Sequence, residues 1–145
     1  MMTTCCTDMN CETNVSTVCR TCGVKGLPVD PITLKALFTP DALRRGVPID
    51  ARFCPTPTCP IVYFGSTGTF TEDDLTVRVH AKHPHDDDVP VCYCFEYTSL
   101  KIHREDGAAS KNIAREIKAG HCACEVKNPK GACCLGDVIR VEKEK

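Results

Sequence analysis

The chain has 145 residues, which suits one domain or two small ones, with 13 cysteines, no tryptophan and only 6% aromatic residues. That composition argues against a large aromatic core and leaves metal–thiolate bonds as the natural extra source of stability. The formal net charge is −1 and Lys and Arg are spread without a strong run, which argues against a nucleic-acid binder; no apolar run approaches a bilayer span, so no membrane insertion is expected.

Residues 1–16, with Cys5, Cys6 and Cys11, read as a polar tail without the basic and apolar regions of a signal peptide, so a cytoplasmic location is expected. Residues 17–80 carry short apolar runs broken by Gly and Pro. Thr39 caps a short helix with Pro40 in its first turn and Gly46 at its end. Residues 51–54 and 61–64 read as strands, Gly65-Ser66-Thr67-Gly68 as a turn, and 75–80 as a further alternating strand. Residues 81–90 are charged and proline-bearing and read as a linker. In 91–145, Thr98 caps a short helix bearing Leu100 and Ile102. Ser110 caps a longer one with Ile113 and Ile117 on one face and Gly120 at its end. Residues 135–141 form a short apolar stretch before a charged terminus.

Abundant cysteine means either a secreted disulfide framework or metal binding under reducing conditions. The cysteines cluster as CC, CxC and CxxC, their number is odd, and neighbours such as Cys133 and Cys134 bridge each other only with strain. Metal is therefore the expected reading. Cys19-Arg-Thr-Cys22 is followed, after a spacer, by Cys54-Pro-Thr-Pro-Thr-Cys59, the pattern of a tetrahedral zinc site with four thiolates. A CxxC turn aims both sulfurs at one ion, Gly23 supplies left-handed freedom, and Pro55, Pro57 and Pro60 stiffen the second loop. A redox CxxC normally opens a helix, which Gly23-Val-Lys-Gly-Leu-Pro28 does not. Four closed ligands make the zinc structural.

Cys92-Tyr-Cys94, Cys122-Ala-Cys124 and Cys133-Cys134 offer more thiols than one ion needs. A [2Fe–2S] cluster takes four thiolates, and a second zinc fits the spacing too. The Cys19-Arg-Thr-Cys-Gly, Pro31-Ile-Thr-Leu-Lys-Ala-Leu and Cys59-Pro-Ile-Val-Tyr-Phe64 stretches resemble the zinc-binding part of the N-terminal domain of the CopZ copper chaperone family. Val91-Cys-Tyr-Cys-Phe95 and Gly120-His-Cys-Ala-Cys-Glu-Val-Lys-Asn-Pro-Lys-Gly-Ala-Cys-Cys-Leu-Gly136 resemble its [2Fe–2S] module, itself similar to the bacterioferritin-associated ferredoxin type. The resemblance implies an α+β fold, a small zinc-stabilised β module followed by a mainly helical [2Fe–2S] module. It implies Zn2+ on Cys19, Cys22, Cys54 and Cys59, and a cluster on Cys92, Cys94, Cys124 and Cys134. Cys134 is preferred to Cys133 because it precedes the apolar stretch, as the last ferredoxin-type cysteine precedes a helix. Cys124 is preferred to Cys122 because it leads into the Asn-Pro-Lys-Gly turn.

The resemblance further implies one-electron transfer linked to copper handling, Cu(II) to Cu(I), with copper ions and a copper-transporting ATPase or a separate heavy-metal-associated chaperone as partners. Proteins of this family continue into a heavy-metal-associated domain, and no such copper motif occurs here. The competing readings are a ferredoxin-like electron carrier or cluster-transfer protein, and a zinc-ribbon binding module without redox role. No Ser–His–Asp set, catalytic carboxylate pair or phosphate-binding glycine loop argues for an enzyme. Cys5, Cys6 and Cys11 suit soft ions such as Cu(I), or are simply reduced thiols of a tail. His80, His83 and His85 suit Cu(II), or belong to a solvated linker.

Overall fold

The computed structural model describes residues 17–144; Cys5, Cys6 and Cys11 lie outside them. The first module is a four-stranded antiparallel sheet in the order β1 (Leu27–Pro28), β2 (Arg52–Phe53), β3 (Ile61–Gly65), β4 (Gly68–Thr71). The expected turn joins β3 to β4, and Gly65 pairs with Gly68 across it. Helix α1 (Pro31–Leu37) fills the β1–β2 connection, and sequence pattern alone did not announce it. Its start is nevertheless encoded locally: Asp30 accepts the Ile32 N–H at 3.0 Å, and Pro31 occupies the first turn, where its missing N–H costs nothing. Helix α2 (Pro40–Arg44) begins as expected, with Thr39 Oγ1 accepting the Ala42 N–H at 3.2 Å.

Residues 75–80 do not form the expected strand. Their main-chain donors are taken elsewhere: Thr76 N–H by Leu37 O at 2.8 Å, Val79 N–H by Glu72 Oε2 at 2.8 Å, and His80 N–H by Tyr93 Oη at 3.1 Å. Only Leu75 makes a ladder-like bridge, to Phe38. The alternation reflects burial of Leu75 and Val79 beneath an irregular chain.

The core of this module is aromatic, against the compositional expectation. Phe38 and Phe70 stack with ring centroids 4.6 Å apart, and Tyr63 lies 6.0 Å from both Phe38 and Phe53. Four of the chain's eight Phe and Tyr residues lie in this core, each buried ring contributing roughly 1.5–3 kcal/mol. Residues 81–90 are tethered to this module: Ala81 packs on the core, Val89 is buried, Asp86 pairs with Arg78 at 3.0 Å, and His83 Nε2 lies 2.7 Å from Glu72 Oε1.

The second module opens with the two-stranded pair β5 (Pro90–Cys92) and β6 (Tyr97–Thr98). Four helices follow: α3 (Ser99–Arg104), α4 (Ala108–Lys118), α5 (Cys124–Lys127) and α6 (Leu135–Lys143). Thr98 caps α3, its Oγ1 accepting the Lys101 N–H at 3.2 Å. Ser110 does not cap α4. That helix starts after Gly107, and the Ser110 N–H reaches Glu142 Oε2 on α6 at 2.8 Å, so a tertiary acceptor replaces the local cap. Helices α3 and α4 both pack on α6 around Val91, Ile102, Ile113 and Val138.

The modules are docked. Helix α1 lies against α5, with the Thr33 hydroxyl donating to Glu125 O at 2.5 Å. The Tyr63 hydroxyl donates to Pro129 O. Gly131, at φ +70°, sits so close to α1 that a Cβ there would come within 2.9 Å of Thr33 Oγ1. The Asn128-Pro-Lys-Gly131 turn is thus the second module's foot on the first.

Candidate metal centres

In the first centre the Sγ atoms of Cys19, Cys22, Cys54 and Cys59 all lie within 4.8 Å of one another. Cys19 and Cys59 are 3.8 Å apart, Cys22 and Cys54 3.5 Å. Four thiolates on one zinc at about 2.3 Å define a tetrahedron with edges of about 3.8 Å, so the donor set fits the ion. Local structure builds it. Gly23 N–H donates to Cys19 O at 2.8 Å, and Cys19 N–H to Val24 O at 2.9 Å, closing the knuckle, with Gly23 at φ +78°. Cys54 extends from β2 and donates its N–H to Val62 O on β3 at 2.8 Å, which fixes the second loop to the sheet.

Cys19, Cys54 and Cys59 are buried and Cys22 is exposed. Burial pushes the Cys59 thiol up to about 12 and raises Cys54. Cys22 is drawn down to about 6, chiefly by the Thr56 hydroxyl 3.2 Å from its sulfur. Four thiolates at such spacing repel one another, and a bound cation would relieve that repulsion. Thr56 supports this site and was missed in the sequence; its signal was its place between Pro55 and Pro57.

In the second module the structure brings Cys92, Cys94, Cys124 and Cys134 into one cluster with the hydrophobic core. Cys92 ends β5, Cys94 follows in the β5–β6 turn, Cys124 opens α5, and Cys134 immediately precedes α6. Cys94 Sγ lies 3.6 Å from Cys124 Sγ and accepts the Ala123 N–H at 3.0 Å. The neighbouring Cys134 lowers the Cys92 and Cys124 thiols, Cys124 to about 6, and is itself raised by them. Burial raises Cys94 to about 11. Cys92, Cys124 and Cys134 are buried and Cys94 half-buried, whereas Cys122 and Cys133 are exposed. Four thiols packed in one core, with a backbone N–H directed at Cys94, match in number the thiolates a [2Fe–2S] cluster takes, but among the described residues only the first set has all its sulfurs within 4.8 Å of one another.

The histidines do not converge. His80 is buried and faces Arg140, His83 pairs with Glu72, and His85 is exposed. Among the described residues, no helix is long and apolar enough to cross a membrane.

Residues 16–76 match the CopZ-type zinc binding domain family. The chain is 31% identical over 118 residues to a protein of Archaeoglobus fulgidus named copper chaperone CopZ, a match that takes in 80% of this chain and 57% of that protein. The chain thus spans somewhat more than half the length of this relative. Its fold is similar to the X-ray structure of the Archaeoglobus fulgidus CopZ N-terminal domain, with a TM-score of 0.70, 28% identity, and coverage of 86% of this chain and 96% of that one.

Proposed function

We propose that this chain, which carries the zinc-binding domain and the fold of the CopZ N-terminal domain, is a metallochaperone-type redox protein that reduces Cu(II) to Cu(I). In this reading Cys19, Cys22, Cys54 and Cys59 hold a structural zinc, and Cys92, Cys94, Cys124 and Cys134 hold a [2Fe–2S] cluster. The observation that carries it is the gathering of four thiols in the second module's core, separate from a complete four-thiol site in the first.

A bound [2Fe–2S] cluster supplies one reversible electron, which zinc does not. The chain's own residues set the conditions. The Ala123 N–H favours thiolate on Cys94, and Val91, Ile102 and Val138 exclude water from the buried sulfurs. Cys94 is the half-buried member of the set and so the shortest way to solvent. The copper substrate gains one electron and becomes the soft ion that thiolate carriers accept. A copper-transporting ATPase or a separate heavy-metal-associated chaperone in the cytoplasm then receives Cu(I).

The test uses the full chain with Cys5, Cys6 and Cys11 changed to Ser and with Cys122 and Cys133 alkylated, since free thiols also reduce Cu(II). The dithionite-reduced, anaerobic protein is given Cu(II) and a Cu(I) chelator. About one Cu(I) should form per cluster as the visible spectrum returns to the oxidised state. A cluster that stays reduced in excess Cu(II) assigns the protein instead to general electron transfer. A colourless protein with two zincs assigns it to a binding module.

A further inference from the structure

Helix α4 buries Ala109 and Ile113 in the second module's core. A neighbouring face of the same helix carries Lys111, Arg115 and Lys118, all exposed and spaced so that they stand one above the next. Among the described residues none of these three cations pairs with a carboxylate. Arg115 Nη2 donates to Asn112 Oδ1 at 3.0 Å, a neutral acceptor. The carboxylates of α4 and of the packed helix α6 are engaged elsewhere. Glu116 meets His121 at 2.6 Å, Glu142 accepts the Ser110 N–H at 2.8 Å, and Asp137 pairs with Lys130 and Arg140 at 3.0 and 2.9 Å.

The three cations and Ala114 line a groove together with Ile117 and Leu135. Those two apolar residues are half-buried and pack on the core group that contains Cys134. Leu135 follows Cys134 directly in the chain, so the groove lies one residue from a core thiol. Unpaired cations around an apolar strip suit a protein surface with an apolar centre and an acidic rim. None of the groove's residues is aromatic, as stacking on a nucleic-acid base would need.

The distribution of charge along the chain points the same way. Residues 91–145 hold 10 Lys and Arg against eight Asp and Glu, whereas residues 1–90 hold eight against 11. The module with the proposed cluster is formally positive and the zinc module negative. An acidic molecule is therefore steered towards the second module and away from the first.

We propose that the α4 groove docks an acidic electron-donor protein. The donor loses one electron, the oxidised cluster gains it, and the same electron later passes to Cu(II). The proposal rests on the cluster reading above and adds the donor's charge and its place of approach. Electrons enter beside Leu135 and Cys134, whereas copper meets the set at half-buried Cys94, so the two reactants use different parts of it.

The test follows anaerobic reduction of the oxidised cluster in the full, metal-loaded chain by reduced flavodoxin, an acidic flavoprotein donor, through the cluster's visible spectrum. With the unaltered chain the bimolecular rate constant should fall about tenfold as the ionic strength rises from about 0.01 M to about 0.15 M. At low salt Lys111→Glu combined with Lys118→Glu should lower it about tenfold, while Lys25→Glu combined with Lys35→Glu, an equal change of charge at exposed first-module residues, should leave it within about twofold. The cluster spectrum of each variant reports whether its second module is intact, and the salt dependence of the unaltered chain needs no variant. Equal loss in the two variants, or a rate that salt does not change, would overturn the docking surface while the cluster reading stands. A chain without cluster absorption would overturn that reading, and the docking surface with it.

Discussion

The two modules gather the same four-thiol donor set and embed it differently. In the first, Cys19, Cys54 and Cys59 form a small cluster with Ile61 and Phe64, apart from the aromatic core of Phe38, Phe53, Tyr63 and Phe70. In the second, Cys92, Cys124 and Cys134 belong to the core itself, in contact with Val91, Ile113 and Val138. A four-thiol set is appended to one core and is part of the other. Four thiolates confined in an apolar core repel each other without a cation, whereas an aromatic core needs none.

The sharpest way to break this comparison is to remove the metals separately. If the second module holds the proposed cluster, losing it, by Cys134→Ser or by chelation, should unfold that module. Structural metal–thiolate sites contribute on the order of 10 kcal/mol to folding in small modules. Hydrogen exchange of Ile102, Ile113 and Val138 amides should then lose its protection. Zinc removal should free the 19–24 turn while Val62, Tyr63 and Phe70 stay protected. Surviving protection at Ile113 without its metal would erase the distinction.

The next largest effect should come from the aromatic core. Phe70 is fully buried against Phe38, so Phe70→Ala should cost about 3–5 kcal/mol. Calorimetry should show the first module melting earlier with the second module's transition nearly in place. A common downward shift of both would mean that docking, and not each module's own core, sets stability.

Docking has its own probe. Tyr63→Phe leaves the Pro129 carbonyl without its hydroxyl donor, at a cost of about 1–3 kcal/mol. The two melting transitions should move apart, because the bond links the modules; unchanged separation would mean that it does not couple them.

The smallest effect is a pH dependence of the interface. Burial lowers the His80 pKa below 6.5, so the folded protein favours the neutral ring. The unfolded chain then binds more protons, and stability is full above about pH 6.5 and falls as the pH drops through the folded value. Arg140 and Lys130 oppose protonation, while Asp137 and Glu144 favour it. His80→Phe should flatten the stability profile in that window, as read by urea midpoints; a slope that persists belongs to other groups.

Much of the local structure was legible because its causes are local. The Thr39 and Thr98 caps, the Gly65–Gly68 turn and the Gly23 knuckle each depend on a side chain and the backbone within a few residues of it. The failures were non-local. Residues 75–80 alternate like a strand, yet their N–H groups find Glu72, Leu37 and Tyr93. Ser110 looks like a cap, yet its N–H reaches Glu142 across the module.

The two cysteine groups, their separation along the chain and the zinc-type spacing of the first were determined by the sequence, because spacing restricts which sulfurs a short turn can aim at one point. Which neighbour is buried was decided only in three dimensions. Cys133 and Cys134 are chemically identical and adjacent, and Cys134 is buried because it stands at the head of α6, whose Val138 and Val141 face the core. Cys124 is buried and Cys122 exposed because α5 begins at Cys124. The meeting of Phe38, Phe53, Tyr63 and Phe70 in one core and the docking of the Asn-Pro-Lys-Gly turn onto the first module likewise arise from contacts between distant segments. Composition and periodicity carry no record of such contacts, since packing energy depends on which surfaces meet.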